Sequence, residues 1–123
     1  GSPRKAIPII EKLLKQQPRN AYVHEMKGEI LLRSGKAAEA VRPLRTAVKL
    51  DKTGMGFLRV QLGHALIDSG NPKAAREAIT HLRKGLASDP NSIEGYQYLG
   101  IAYGQLGDTA NALLASAEFA ILK

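Results

Sequence analysis

Apolar and small residues recur at helical spacing in seven stretches, divided by short polar breaks that carry glycine, proline, asparagine or aspartate. That periodicity predicts helices over Pro3–Gln17, Ala21–Ser34, Ala37–Leu50, Gly56–Ser69, Pro72–Ser88, Ser92–Leu106 and Thr109–Leu122. Breaks this short join helices into antiparallel pairs. Pro8 lies about one turn inside the first stretch, so that helix is expected to start near Ile7 or to bend there.

The glycines set a register. Gly28, Gly63 and Gly100 each lie inside an apolar helix and are followed seven residues on by Gly35, Gly70 and Gly107. The second glycine of each pair suits a left-handed helix end. The inner glycine carries a helix-propensity penalty of about 1 kcal/mol, which is tolerable where a neighbouring helix must come close. After each break a second helix opens, with Ala40, Ala78 or Ala112 at its first buried position. Repeats are therefore expected over residues 21–54, 55–92 and 93–123. Residues 3–20 match the second half of a repeat, since Ala6, Ile10 and Leu13 fall where Ala40, Leu44 and Ala47 fall later. Repeat two carries about three extra residues near Lys73-Ala74-Ala75, expected to add one turn at the start of its second helix. Gly1-Ser2 reads as the scar of a cleaved tag.

Composition narrows the function classes. At 123 residues, with 44% hydrophobic and 24% charged residues, the chain is one ordinary globular domain. No apolar run is long enough to span a membrane. The net charge of +7 is lopsided: residues 1–52 hold 12 Lys/Arg and 5 Asp/Glu, whereas the remainder holds 6 of each. A basic half can serve an anionic partner, but Lys12, Lys15, Lys27, Arg42, Arg45 and Lys49 are spread over three helices, as on solvated faces. Aromatic residues, at 5%, are too few for a base-stacking platform. No nucleic-acid partner is expected.

No catalytic constellation is present. His24, His64 and His81 lie on three different helices, so the two-histidine, one-glutamate face of a zinc protease is missing. Ser34, Ser69 and Ser116 have no histidine and acid at triad-like spacing. Without cysteine there is neither disulfide nor thiol chemistry. Glu25 and Glu29 form an i, i+4 pair expected to face solvent or a partner. The chain is read as non-enzymatic, with no cofactor and no metal of its own.

The register resembles the tetratricopeptide repeat. Repeat three supplies Tyr96, Leu99-Gly100, Tyr103, Gly107 and Ala112. Repeat two supplies Leu62-Gly63, Leu66, Gly70, Ala78, Leu82 and Pro90. Repeat one supplies Gly28, Leu31, Gly35, Ala40, Leu44 and Ala47, departing at Lys27 and Lys52, where Leu and Pro are usual. The resemblance implies an all-α, right-handed α-solenoid of three helix-turn-helix repeats with an orphan leading helix. It also implies a concave groove lined by the first helix of each pair. By position that groove presents Tyr22, Glu25, Glu29 and Arg33, then Phe57, Val60, His64 and Asp68, then Glu94, Gln97, Tyr98, Ile101 and Gln105. A surface of this mixed character suits a peptide or protein segment. Glu25 and Glu29 stand where a carboxylate-binding clamp would want cations.

The strings Tyr22–Gly28, Ser34–Arg45, Leu99–Asp108 and Leu114–Glu118 are also similar to the C-terminal repeat domain of bacterial zinc metallopeptidases of the β-barrel-assembly-enhancing type. That similarity implies a non-catalytic domain of a periplasmic or secreted protease, with zinc held only in a separate catalytic domain. Its surface would then bind substrate or partner, or pack on the catalytic domain. The alternative is a stand-alone adaptor or assembly scaffold, and then a cytoplasmic location. The truncated first helix and the apolar last helix, with Leu113, Leu114, Phe119, Ile121 and Leu122, are the surfaces expected to self-associate.

Overall fold

A computed structural model describes residues 2–123; of the Gly1-Ser2 pair, Gly1 lies outside the described residues. A 3-10 turn over Pro3–Ala6 leads into α1 (Ile7–Gln16). Pro8 sits in the first turn of α1, where a missing N–H leaves no hydrogen bond unmade. Six helices follow: α2 (Ala21–Arg33), α3 (Ala37–Leu50), α4 (Gly56–Asp68), α5 (Ala74–Ser88), α6 (Ile93–Gln105) and α7 (Thr109–Leu122). Helices α2 and α3, α4 and α5, and α6 and α7 pack as hairpins. Successive hairpins meet through α3 on α4 and α5 on α6, while α1 packs on α2. The first helices of the pairs also touch, α2 on α4 and α4 on α6. The result is the α-solenoid of three helix-turn-helix units with a leading helix.

The hairpin breaks follow from local chemistry. Gly35, Gly70 and Gly107 have φ of 75°, 81° and 75°, a region that a Cβ disfavours. Each closes a turn so tightly that the next helix folds back within a few residues. The Asp108 carboxylate accepts the Asn111 N–H at 3.2 Å, capping α7, and the Ser92 hydroxyl accepts the Gly95 N–H at 3.0 Å, capping α6.

Between α4 and α5 the outcome differs from expectation. The extra residues of repeat two do not add a helical turn. Asn71, Pro72 and Lys73 form a separate turn, in which Asn71 Oδ1 accepts the Lys73 N–H at 3.0 Å, and α5 begins at Ala74. The polar Asn71 side chain binds its own backbone two residues on and so competes with helix formation there.

Packing runs along the hairpins. Leu44, Leu62, Leu66 and Leu82 are fully buried at the centre, and Ile10 is the buried residue of α1. Gly28 and Gly63 are close-approach points: a Cβ on Gly28 would overlap the Leu44 side chain, and one on Gly63 would come 2.5 Å from Leu82 Cγ. Gly100 departs from the expected pattern. Its nearest neighbour would be Ser116 Oγ at 3.6 Å, an ordinary contact, because α7 carries serine where α3 and α5 carry leucine. Gly56 and Gly85 also meet, backbone against backbone, where α4 starts and α5 ends.

The departure at Lys27 has a structural reason. Leu62 and Leu99, its equivalents, are buried in the hydrophobic core, whereas Lys27 Nζ pairs with Glu11 Oε1 of α1 at 2.6 Å.

Candidate functional site: a two-pocket groove on the first helices

Two adjoining pockets lie along the face shared by α2, α4 and α6, and each is built by the same construction. The first, of about 310 Å³, combines the start of α2 (Ala21, Tyr22, Glu25), the loop after α3 (Asp51, Thr53, Met55) and the start of α4 (Phe57, Leu58). The second, of about 370 Å³, combines α4 (Phe57, Val60, Gln61, His64), the loop after α5 (Asp89, Asn91, Ser92) and the start of α6 (Ile93, Glu94, Tyr98). Phe57, 52% exposed, is the wall between them.

Of the residues expected to form one groove, Tyr22, Glu25, Phe57, Val60, His64, Glu94 and Tyr98 line these two pockets. Gln97 and Ile101 instead line a separate cleft between α6 and α7, of about 390 Å³, with Tyr96 and Phe119. Gln105 lies with Ile67 beside the Gly70 turn. Glu29, Arg33 and Asp68 line none of the described pockets, although Asp68 Oδ2 holds His64 Nε2 at 2.8 Å. The loop residues Asp51 to Met55 and Asp89 to Ser92, and Gln61, were not foreseen. Asp51 and Asp89 each end the second helix of a repeat at the same register, and that recurrence is the signal that marks them.

The groove's electrostatics run against the chain's. In a protein of net charge +7, the two pockets hold Glu25, Asp51, Asp89 and Glu94 and no lysine or arginine. Asp51 accepts the N–H groups of Thr53 and Gly54 and the Thr53 hydroxyl, bonds that hold its carboxyl below the usual range and keep it ionised. Glu25, expected to face solvent or a partner, is only 8% exposed. Burial first, and then the Glu29 carboxylate one turn on, push its pKa up, against a smaller pull from the Gln61 side chain. No lysine, arginine or histidine among the described residues pairs with it. Gln61 Oε1, beside it, is buried without a hydrogen-bond partner.

The second pocket is stiffened by a stack. The His64 ring lies on Tyr98 with centroids 4.3 Å apart and planes 8° apart. Burial, then Asp68 and Glu94, raise the Tyr98 phenol above its ordinary value.

The opposite side carries a polar relay. Arg45 of α3 grips Glu77 of α5 through two hydrogen bonds, Nε–Oε2 at 2.8 Å and Nη2–Oε1 at 2.6 Å. His81 Nδ1 faces Arg59 Nη1 at 3.1 Å and its Nε2 faces Glu77 at 3.6 Å. Burial and then Arg59 push the His81 pKa down, so the neutral ring accepts from Arg59 and turns its N–H to Glu77. The last helix shows an uninterrupted apolar stripe, with Leu113 and Leu114 both 65% exposed and Ile121 76%. No metal-competent cluster of His, Cys, Asp or Glu and no membrane-length apolar helix occurs among the described residues.

A solenoid of helical hairpins with an open groove along its first helices is a tetratricopeptide-like architecture. Residues 1–54 match the tetratricopeptide repeat family model. No curated protein sequence matches the chain. Among solved structures, MamA superposes with a TM-score of 0.86 at 26% identity, covering 96% of this chain and 67% of that one. MamA (41-end) from Desulfovibrio magneticus RS-1 superposes with a TM-score of 0.85 at 22% identity, covering 99% of this chain and 67% of that one. The chain thus spans about two thirds of the length of these structures, and the likeness is one of fold.

Proposed function

We propose that the groove formed by α2, α4 and α6 recognises a segment of a partner protein. The observation that carries this reading is Phe57: a large aromatic, half exposed, standing between two pockets of about 310 and 370 Å³. Half-exposed aromatic anchors beside preformed pockets are the usual centres of binding energy at protein interfaces. The test is retention of a degenerate decapeptide library, acetylated and amidated, on immobilised protein. Wild type is expected to retain a subset that Phe57→Glu, with unchanged helicity, releases. Equal retention by the variant would move the site elsewhere.

The wider reading places this module in a periplasmic or secreted zinc-dependent protease, as the non-catalytic domain that binds substrate or partner or docks on the catalytic domain. Its support is the similarity of Tyr22–Gly28, Ser34–Arg45 and Leu99–Asp108 to the repeat domains of such enzymes. Reading the gene upstream of Pro3 tests it. A secretory signal and a His-Glu-x-x-His helix are expected there, and a frame without them leaves the stand-alone adaptor.

A further inference from the structure

The two pockets of the groove are equivalent by repeat. Counted from Gly28 and Gly63, Tyr22 and Phe57 occupy one position and Glu25 and Val60 another; counted from Ala40 and Ala78, Asp51 and Asp89 share a third. At the third position the fold is satisfied by valine, since Val60 is 6% exposed and sits in the core. Glu25 is buried nearly as deeply, without a cation. The Gln61 side chain bonds Glu25 and eases its burial, but no cation offsets the charge, and an imperfectly compensated buried polar group is unfavourable by about 1–3 kcal/mol. A carboxylate standing where the next repeat places valine thus contributes less to the fold than valine does.

The pocket's remaining walls define what would offset that penalty. Tyr22, Met55, Phe57 and Leu58 make its lining mainly apolar. Asp51, kept ionised by the turn it caps, adds a second negative charge. A long aliphatic stem ending in a positive charge matches both features, because lysine and arginine lay their methylenes along apolar surface while their heads meet anions. A simple hydrocarbon side chain would leave Glu25 unpaired, and an acidic one would be repelled.

We infer that the pocket between α2 and α4 receives a lysine or arginine side chain of the partner segment, its stem against Tyr22, Met55 and Phe57 and its cation on Glu25. The inference rests on the groove reading above and gives that groove its specificity.

The experiment is positional sequencing of the decapeptides that wild type, Glu25→Gln and Glu25→Val retain from the library. Wild type is expected to enrich lysine or arginine at one position at least tenfold over norleucine. Both variants are expected to lose that enrichment while their circular dichroism stays unchanged. A retained subset without a basic position, or a basic preference that survives both substitutions, overturns the inference but leaves the groove. Retention of nothing by wild type overturns the inference and the groove reading together. Glu77→Gln, which alters a carboxylate on the opposite side, separates the pocket from bulk charge. If it lowers the enrichment as much as Glu25→Gln does, the inference fails.

Discussion

His64 and Tyr98 stack across the boundary between α4 and α6, with ring centroids 4.3 Å apart and planes 8° from parallel. The pair joins two hairpins on the groove side, and Asp68 fixes the imidazole from behind through its 2.8 Å hydrogen bond to Nε2. Aromatic pairs of this kind contribute about 0.5–1.5 kcal/mol beyond the area they bury. Tyr98→Ala is expected to lower the unfolding free energy read from urea melts by more than that, since ring burial is lost as well, whereas Tyr98→Phe keeps most of the stack. Because burial and two acids hold the phenol above its ordinary value, the folded protein binds that proton more tightly than the unfolded chain. Stability attached to Tyr98 is present below pH 10, the ordinary tyrosine value, and declines as pH rises through the folded value. A spectrophotometric tyrosine titration of wild type against Tyr98→Phe checks this: the phenol lost in the Tyr98→Phe variant should be one that ionises late.

The inner glycines are predicted to separate. Gly63→Ala places a methyl 2.5 Å from Leu82 Cγ, which is packed on all sides and cannot yield without disturbing the α4–α5 hairpin. Overpacking of about 1–3 kcal/mol is expected to outweigh the gain of about 1 kcal/mol in helix propensity. At Gly100 the same methyl meets Ser116 at 3.6 Å, so only the propensity gain remains. Gly100→Ala is expected to raise stability by up to about 1 kcal/mol. Denaturant melts of the two variants should move in opposite directions, and a shared direction would mean that α7 packs as tightly as α5.

That contrast shows how far the chain could be read before it was seen folded. Helical periodicity and the left-handed glycines mark the hairpins, because both are local and recur with the repeat. What a glycine touches is not local: Leu82 and Ser116 follow their glycines by similar intervals, yet one excludes a methyl and the other admits it. The meeting of Gly56 with Gly85 has no local trace at all, since each looks like a poor choice in its own helix. Within the groove, the first-helix positions follow from the register, and Tyr22, Phe57 and His64 do line pockets. Gln97 and Ile101 do not join them, because they face the cleft between α6 and α7. The pocket-closing loops stayed hidden because turn residues such as Asp51 and Thr53 show their own hydrogen bonding in the sequence, not the helices they lie beside.

Glu77 and Arg45 predict an acid limb of the stability curve. Two hydrogen bonds from the guanidinium, with a smaller contribution from its charge and from His81, hold Glu77 below the usual glutamate value. A depressed carboxylate contributes stability that is fully present above its unfolded pKa and is lost as pH falls through the folded one. Both side chains reach solvent, at 53% and 35% exposure, so screening limits the contribution to about 0.2–1 kcal/mol. Glu77→Gln should be less stable than wild type at pH 7 and should close the gap as pH falls below 4.5, the ordinary glutamate value. Urea melts across that range in low salt measure it.

Glu25 has the opposite sign, and the two acids together separate structure from recognition. Burial and Glu29 raise its folded pKa, so the native state binds a proton more tightly than the unfolded chain. Near neutral pH the ionised form therefore works against folding, and the penalty shrinks as pH falls from the raised folded value toward 4.5. Glu25→Val, copying Val60 of the next repeat, is expected to stabilise the protein at pH 7 by about 1 kcal/mol or more. That advantage should disappear in acid, where Glu25 is protonated. Glu25→Gln, which keeps the shape but not the charge, should gain less. The decisive comparison is the pH dependence of the difference between wild type and Glu25→Val, read from urea melts in the absence of peptide. A gain confined to neutral pH means that the free protein holds a destabilising charge in its groove. Equal stability at all pH values would mean that water already satisfies Glu25, and the pocket would have nothing to gain from a cation.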